Sequence, residues 1–286
     1  MSDPAVTLPA AAPAPPRARR SAVELAAFAL VGGVLLLAVF GPLLAPYDPL
    51  ATDPPAALEA PSWTHPFGTD QLGRDVLSRV MVAARVDLGI AVIAVAATLL
   101  IGTALGAAAG WAGGWTDRIV SRLMDTIMAF PLFVLAVGIA AGLGNSVTSV
   151  VIATVIVNLP LYARQVRSEV NRRRGAAYVE AAQLAGIRPL AIVGLHIMPN
   201  LAPPLAVQAS LNMGWAILNA AGLSFLSLGI RPPTPEWGIM VSEGASYIIS
   251  GEWWLFAFPG AALFLAVLGF SLMGDVLRDR LEPRRR

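Results

Sequence analysis

Five long blocks of the sequence contain no charged residue, and this feature restricts the fold more than any other. About 20 largely apolar residues suffice to cross the hydrocarbon core of a bilayer, and every block is long enough. The chain is 56% hydrophobic and only 13% charged, whereas about a quarter of the residues of a soluble domain are charged. We therefore predict an all-α integral membrane protein. The blocks are residues 25–47, 88–116, 126–163, 204–230 and 253–274.

The third block is too long for one helix, and it contains the turn sequence "GLGNS" at residues 142–146. Gly and Asn favour turns, so the block predicts two spans and the whole chain predicts six. The first block is longer than the apolar core of a signal peptide and is predicted to remain as a helix. The domain prediction is a disordered tail at residues 1–22, a six-helix membrane domain at 23–283 and a short tail at 284–286.

The basic residues are all arginines, and their distribution along the chain predicts the orientation in the membrane. With the N-terminus inside, sixteen of the twenty arginines fall in the inner segments. Because inner loops of membrane proteins carry the excess of basic residues, we predict that both termini are cytoplasmic. This arrangement also explains the basic composition through contacts with the lipid bilayer, so no nucleic acid partner is predicted.

Several kinds of chemistry are excluded by residues that the sequence lacks. There is no Lys, and a Walker A loop needs one to reach nucleotide phosphates. There is no Cys, and the two histidines, His65 and His196, stand far apart without a metal-ligand pattern. No catalytic residue, metal site or bound cofactor is therefore predicted, and an intramembrane enzyme is disfavoured.

The stretch "YVEAAQLAGIRPLAIVGLHIMPN" lies between the fourth and fifth predicted spans and predicts a helix–turn–helix. Residues 176–185 are strong helix formers, Gly186 suits a left-handed C-cap, and Pro189 suits the first turn of a second helix. Pro199 is predicted to end that second helix. Composition alone also permits a helix that lies in the membrane interface.

The same stretch resembles the EAA loop of bacterial ABC importer permeases, through "EAAQLAG" and the ending "IMP". "HPFGTDQLGRDVLSR", "GGWTDRIVSRLMDTIMAFP" and "LSFLSLGIRPPTPEWGIMVSEG" resemble the dipeptide/oligopeptide/nickel branch of that family, and the likeness covers roughly residues 23–283. Two departures are the arginine-rich "NRRRGAAY" before the loop and Ser227, where relatives often have Gly. We interpret Ser227 as lying on a packed helix face.

The resemblance implies a type I ABC importer permease fold and half of a translocation pore in a bacterial inner membrane. It implies a coupling loop at about residues 165–203 that docks into one or two partner ATPases, which hold ATP and Mg. It further implies a second permease subunit and an extracytoplasmic solute-binding protein. The residues expected to form the ATPase-coupling surface are Tyr178, Glu180, Ala181, Ala182, Ala185, Gly186, Pro189 and Pro199.

The transported solute stays open at this point. Peptides are expected first, and a nickel chelate, glutathione, an opine or another small organic solute is the alternative. A stand-alone secondary transporter is a distant alternative, since it would need internal repeats and broken helices around a midplane site, which the sequence does not display.

Two further groups of residues are candidate sites, each with a structural alternative. Four amides within or near the fourth and fifth spans are either pore-lining or make hydrogen bonds between helices; they are Asn158, Gln208, Asn212 and Asn219. A second group in the predicted outer segments either docks the binding protein or forms a short helix laced by ion pairs; it comprises Asp70, Arg74, Asp75, Arg79 and Trp237.

Overall fold

The computed structural model describes residues 17–281, which form a bundle of α-helices without a β-strand. The long helices coincide with the uncharged blocks, because only a helix satisfies all of its backbone hydrogen bonds within a single membrane segment. The helices are α1 (Arg17–Leu44), α2 (Val76–Ala112), α3 (Gly114–Met128), α4 (Leu132–Leu143), α5 (Val147–Arg173), α6 (Ala177–Leu184), α7 (Pro189–Ala191), α8 (Met198–Phe225), α9 (Trp237–Ala245) and α10 (Trp254–Leu281). A 3₁₀ turn (Pro54–Ala56) precedes α2, and a π-helical turn (Ile192–Ile197) joins α7 to α8.

Five helices of the described residues are long and apolar enough to cross a membrane. A sixth span exists if the bent pair α3–α4 is counted as one. The prediction of an all-helical membrane fold is therefore confirmed, although several helices extend beyond the uncharged blocks. The five are Ala22–Leu44, Val76–Ala112, Val147–Arg173, Pro189–Phe225 and Trp254–Leu281.

The third predicted span differs from the prediction. The chain bends by 92° between α3 and α4, and α4 has only 12 residues. The break falls just before Pro131, because the residue that precedes a proline is disfavoured in helical conformation. The turn predicted at residues 142–146 is confirmed: Gly144 has φ +83°, and the Ser146 hydroxyl accepts a hydrogen bond from the Ser149 N–H at the start of α5.

The most extensive helix contact is that of α2 with α5, and three glycines spaced four apart on α2 make it possible. A Cβ atom on Gly106 would stand 2.4 Å from the carbonyl oxygen of Ala163. The glycines therefore let the two backbones touch, as small residues commonly do between membrane helices. The other two glycines of the row are Gly102 and Gly110.

The cytoplasmic ends of α3 and α5, in the predicted orientation, are joined by two ion pairs. Arg167 forms a two-pronged contact with Asp117, with 2.8 Å between Nη2 and Oδ2, and Arg164 contacts Asp125. These arginines thus fix α3 against α5 in addition to any role in orientation.

The predicted tails fall mostly outside the described residues. Residues 17–22, assigned to the N-terminal tail by the sequence, belong to α1. The remainder of that tail, 1–16, and the C-terminal tail 284–286 lie outside the part that the structure describes.

Two regions lie at opposite ends of α2, whose 37 residues span about 55 Å at 1.5 Å per residue. At its beginning is a cap, which we define as residues 45–79, including the first turn of α2, together with 226–253. The Trp237 indole of the cap donates to the carbonyl of Val80 at 3.0 Å, near the start of α2. At its end, Gly110 packs on Arg167 of α5, which leads into the coupling loop.

Candidate coupling loop and cap

The turn of the coupling loop is fixed by its backbone. Ile187 N–H donates to the Ala182 carbonyl at 3.1 Å, and Gly186 N–H donates to the Gln183 carbonyl at 3.0 Å. This pair of bonds is the Schellman motif, which places its C′ residue in the left-handed region. Gly186 has φ +74°, so the predicted C-cap is confirmed.

The second helix begins at Pro189, as predicted, but Pro199 does not end it. The helix runs on from Pro189 to Phe225. A proline normally clashes with the carbonyl four residues earlier. Here that carbonyl belongs to Leu195, which lies in the π-helical turn Ile192–Ile197. The wider turn moves the carbonyl aside and lets the helix continue.

One face of the coupling loop is anchored in the protein. Val179, Ala182, Ile192 and Ile197 are buried in one cluster with Val166 and neighbouring residues of α5 and α8. Burial of such apolar side chains stabilises the contact by roughly 1.5–3 kcal/mol for each large residue. The loop therefore has a defined position relative to α5.

The opposite face of the coupling loop exposes large apolar side chains. Leu184 is 90% exposed, Leu190 is 88% exposed and Leu195 is 73% exposed. Leu184 and Leu190 stand on either side of the turn at Gly186. Exposed apolar groups that cluster at one site mark an interaction surface, so this face is a candidate docking surface.

The predicted coupling residues divide between the two faces. Seven of the eight are exposed: Tyr178, Glu180, Ala181, Ala185, Gly186, Pro189 and, further along the chain, Pro199. Ala182 is buried and anchors the loop instead. Sequence reasoning missed Leu184 and Leu190, although large apolar residues within an arginine-rich loop were a usable signal.

In the cap, the five predicted docking residues are all buried. Arg74 Nε donates to Asp70 Oδ2 at 2.6 Å, and Arg79 Nε lies 3.5 Å from the same oxygen. Both guanidinium groups lie 3.7 Å from Glu243 Oε2 on α9. Two arginines and two carboxylates thus balance one another inside the cap, where an unpaired charge is strongly unfavourable.

The alternative prediction was a short helix laced by ion pairs. Its ion pairs are confirmed, because Asp70 contacts both Arg74 and Arg79, but the helix is wrong for most of this stretch. Residues 69–75 form a loop closed by an isolated bridge between Thr69 and Asp75. Asp75 caps α2 by accepting from the Ser78 N–H at 2.8 Å, and its other oxygen contacts His65 Nδ1 at 2.9 Å. Of the four charged residues Asp70, Arg74, Asp75 and Arg79, only Arg79 lies on a helix.

Other residues of the cap reach the surface in place of the predicted ones. Trp63 and Ile249 are completely exposed. Glu243, which completes the ion cluster, was missed because its partners lie far away in the sequence. The accessible surface of the cap is therefore more apolar at its tips than the charge pattern indicated.

The four candidate pore residues do not share one environment. Asn158 is buried and donates to the Thr154 carbonyl of its own helix at 2.8 Å. Asn212 is buried and donates to the Tyr162 hydroxyl of α5 at 3.4 Å. Gln208 and Asn219 are half-buried. A cavity of about 560 Å³ lies between α2 and α8, and none of the four residues lines it.

The sequence interpretation of Ser227 as part of a packed helix face is wrong. Ser227 follows the end of α8 with φ +59°. Its N–H donates to the Ser224 carbonyl at 2.9 Å, and Leu228 N–H donates to the Leu223 carbonyl at 2.9 Å. This is a second Schellman motif, so the position favours glycine for its backbone conformation.

Two family models match the chain. Residues 102–286 match the model described as "binding-protein-dependent transport system inner membrane component". Residues 17–61 match the model described as "N-terminal TM domain of oligopeptide transport permease C". Together they include α1, the coupling loop and helices α3 to α10.

Curated relatives are similar over most of the chain. The dipeptide transport system permease protein DppC of Alkalihalophilus pseudofirmus is 41% identical over 266 residues, which are 93% of this chain and 87% of that protein. The probable D,D-dipeptide transport system permease protein DdpC of Escherichia coli is 41% identical over 251 residues, 88% of this chain and 84% of that protein. The di/tripeptide transport system permease protein DppC of Pseudomonas aeruginosa is 42% identical over 266 residues, covering 89% and 88%.

Proposed function

This chain belongs to the family of binding-protein-dependent transport system inner membrane components, and on that premise we propose how it works within an importer. It is a permease subunit and not an enzyme, as are the proteins of this family. Our proposal is that it forms half of a translocation pore for peptides. In it, the coupling loop transmits the ATPase cycle to the pore.

The exposed face of the coupling loop is the observation that carries the proposal. Leu184 and Leu190 are exposed apolar side chains on either side of the Gly186 turn, while the other face of the loop is packed on α5. We propose that these two leucines occupy a groove on an ATPase subunit. A change in the groove when ATP binds would then move α5 and α8, provided that the contacts differ between the two ATPase states. ATP and Mg belong to the ATPase in this proposal.

The proposed orientation follows from the arginines. The end of α5 and the coupling loop carry a concentration of arginines that includes Arg172, Arg173 and Arg174. Since the cytoplasmic side is the basic side, we place the coupling loop in the cytoplasm and the cap outside the inner membrane of a bacterium. Both termini are then cytoplasmic.

The proposed solute and partners come from the names of the relatives. Those names specify dipeptide, D,D-dipeptide and di/tripeptide transport systems, so we propose that a short peptide passes through the pore. A second permease subunit would supply the other half of the pore, beside one or two ATPases and a binding protein. A nickel chelate, glutathione, an opine or another small organic solute is the alternative.

The proposed outer docking surface moves from the charged residues to the tips of the cap. Trp63 and Ile249 are completely exposed, while the five predicted residues are buried and hold the cap together. We propose that the binding protein contacts these apolar tips. Within the bundle, Gln208 and Asn219 are the proposed pore-facing amides because they are half-exposed.

Cysteine cross-linking tests the coupling surface directly, because the chain has no native Cys. Leu190→Cys in the assembled transporter is expected to cross-link to an ATPase carrying single cysteines along its surface groove. Ile249→Cys at the cap is the matched control, since Ile249 is also almost fully exposed but lies at the other end of α2. Cross-linking of both positions, or of neither, would contradict the proposal.

A further inference from the structure

Two acidic residues meet inside the protein where the cap joins α2. Asp87 of α2 and Glu236, which precedes α9, are both completely buried, and they are neighbours because Asp87 bonds the backbone of the residue that follows Glu236. Glu236 accepts from the N–H groups of Gly238 and Ile239 at 2.9 and 2.8 Å. Asp87 Oδ2 accepts from the Trp237 N–H at 3.1 Å.

No cationic side chain of the described residues forms an ion pair with either carboxyl group. On α2, Arg79 is paired with Asp70 and Glu243, and Arg85 is exposed. Arg231, in the segment before α9, is exposed as well. The other charged side chains of α2, α9 and the segment before α9 are therefore Glu243, which is acidic, and arginines that form no ion pair with Asp87 or Glu236.

The remaining elements packed on α9 add no charge near the pair. α8 has no ionisable side chain. The charged residues of α10 are confined to its opposite end, from Asp275 onwards. Tyr247 follows α9 and is partly exposed.

Chemistry then requires a proton in this site. Two ionised carboxylates that face each other away from water repel strongly, and only a proton on one allows a hydrogen bond between them. No N–H or O–H group of the described residues donates to Asp87 Oδ1, so that atom is available to share a proton with Glu236. Burial raises the pKa of the Glu236 carboxyl above its ordinary value.

We propose that Asp87 and Glu236 hold one proton between them and form a pH-dependent latch that fixes α9, and with it the cap, to α2. The closed latch contains a carboxylic acid donating to a carboxylate. When the proton leaves for water, two carboxylates remain, and the start of α9 moves away so that both become hydrated. The latch depends only on the geometry of the cap and not on the identity of the solute or of the ATPase.

The direction of the pH effect follows from proton linkage. An ordinary carboxyl group has a pKa of about 4, and the pKa of Glu236 in the closed pair is higher. At any pH between these two pKa values, the closed state binds one proton more than the open state. Within that interval, the equilibrium constant for opening rises about tenfold per pH unit. The latch is thus closed in acid and loosens as the pH rises.

A cysteine reporter in the assembled transporter tests this latch. Met240, buried on α9, is replaced by Cys, and its labelling by a maleimide is measured in nanodiscs from pH 5.5 to 8.5. Each rate is divided by that of Ile249→Cys, which is always exposed, so that the ordinary ionisation of the thiol cancels. The normalised rate is expected to rise with pH, by up to tenfold per unit.

Variants identify the groups responsible. Asp87→Asn places a permanent donor beside Glu236, so labelling is expected to stay slow at every pH. His65→Gln removes a different titratable side chain of the cap, which contacts Asp75, and is expected to keep the slope. A slope that survives in Asp87→Asn overturns the proposal.

The Met240→Cys chain without these substitutions gives a second test, which does not depend on whether the variants fold. A flat normalised rate between pH 5.5 and 8.5 also overturns the latch. Glu236→Gln is the second variant if Asp87→Asn does not assemble, and it is expected to abolish the slope in the same way.

Discussion

The coupling loop and the cap use polar and apolar residues in opposite ways. The cap buries two arginines and two acids and matches each charge with another. The coupling loop leaves large leucines in solvent and buries mainly small or branched residues. Both regions were predicted to dock a partner, yet only the coupling loop presents the predicted stretch as a surface.

The difference teaches what an alternating charge pattern means at the edge of a membrane protein. Alternating charges in a loop can be satisfied within the chain, and then they hold the loop in place. Exposed apolar side chains have no such internal solution, since water solvates them poorly. An unpartnered leucine is therefore the stronger indication of a docking surface in this molecule.

Arg79→Ala is expected to give the largest effect. It leaves Asp70 and Glu243 with one fewer cation inside the cap, and breaking a buried ion pair costs roughly 3–5 kcal/mol. The thermal unfolding temperature of the purified chain should fall accordingly. Arg85→Ala on the same helix, where the side chain is exposed, should change stability by no more than about 0.5 kcal/mol. Equal effects of the two variants would contradict the internal role of the cluster.

Gly186→Val is expected to have the next largest effect, now in the coupling loop. A side chain in the left-handed region costs about 1–2 kcal/mol, more for a branched residue. The cost is local to the turn, because a Cβ atom here meets nothing within 4 Å. Membrane insertion should persist while peptide-stimulated ATPase activity is lost. Gly186→Asn, which tolerates this conformation, should retain activity; normal transport by Gly186→Val would count against the docking model.

Local rules predicted the features that depend on a few neighbouring residues. The uncharged blocks predicted membrane helices, and Gly186 and Pro189 predicted the turn of the coupling loop. These features follow from backbone conformation and from the requirement that backbone groups be bonded within the membrane. They do not depend on where the rest of the chain lies.

Features that depend on distant residues were not predictable in this way. The burial of Arg79 requires Glu243, which lies on α9 far along the chain. The continuation of the helix past Pro199 requires a π-helical turn, which the periodicity of the sequence does not reveal. The acid pair of Asp87 and Glu236 likewise exists only because α9 packs on α2.

Leu190→Asp sharpens the comparison at the surface. The side chain is exposed, so the free energy of unfolding should change by no more than about 0.5 kcal/mol. Coupling should fall by at least tenfold, equivalent to about 1.4 kcal/mol, measured as ATPase stimulation by the loaded binding protein. Ile249→Asp at the cap is the counterpart and should leave the response to saturating binding protein unchanged. Loss of coupling in both variants would remove the distinction between the two ends.

Ser227→Gly is expected to give the smallest effect and the only stabilising one. Ser227 of the cap and Gly186 of the coupling loop occupy the same position of a Schellman motif, with φ +59° and +74°. A non-glycine residue pays about 1–2 kcal/mol in this conformation, partly offset because Gly has more freedom when unfolded. The variant should therefore gain about 0.5–1 kcal/mol, seen as a higher unfolding temperature in detergent. Ser227→Ala is the control, because it removes the hydroxyl without relieving the backbone and should not stabilise. If Ser227→Ala stabilises the protein as much as Ser227→Gly, backbone strain is not the cause of the gain. The turns at Ser227 and Gly186 would then be equivalent in energy despite their different residues.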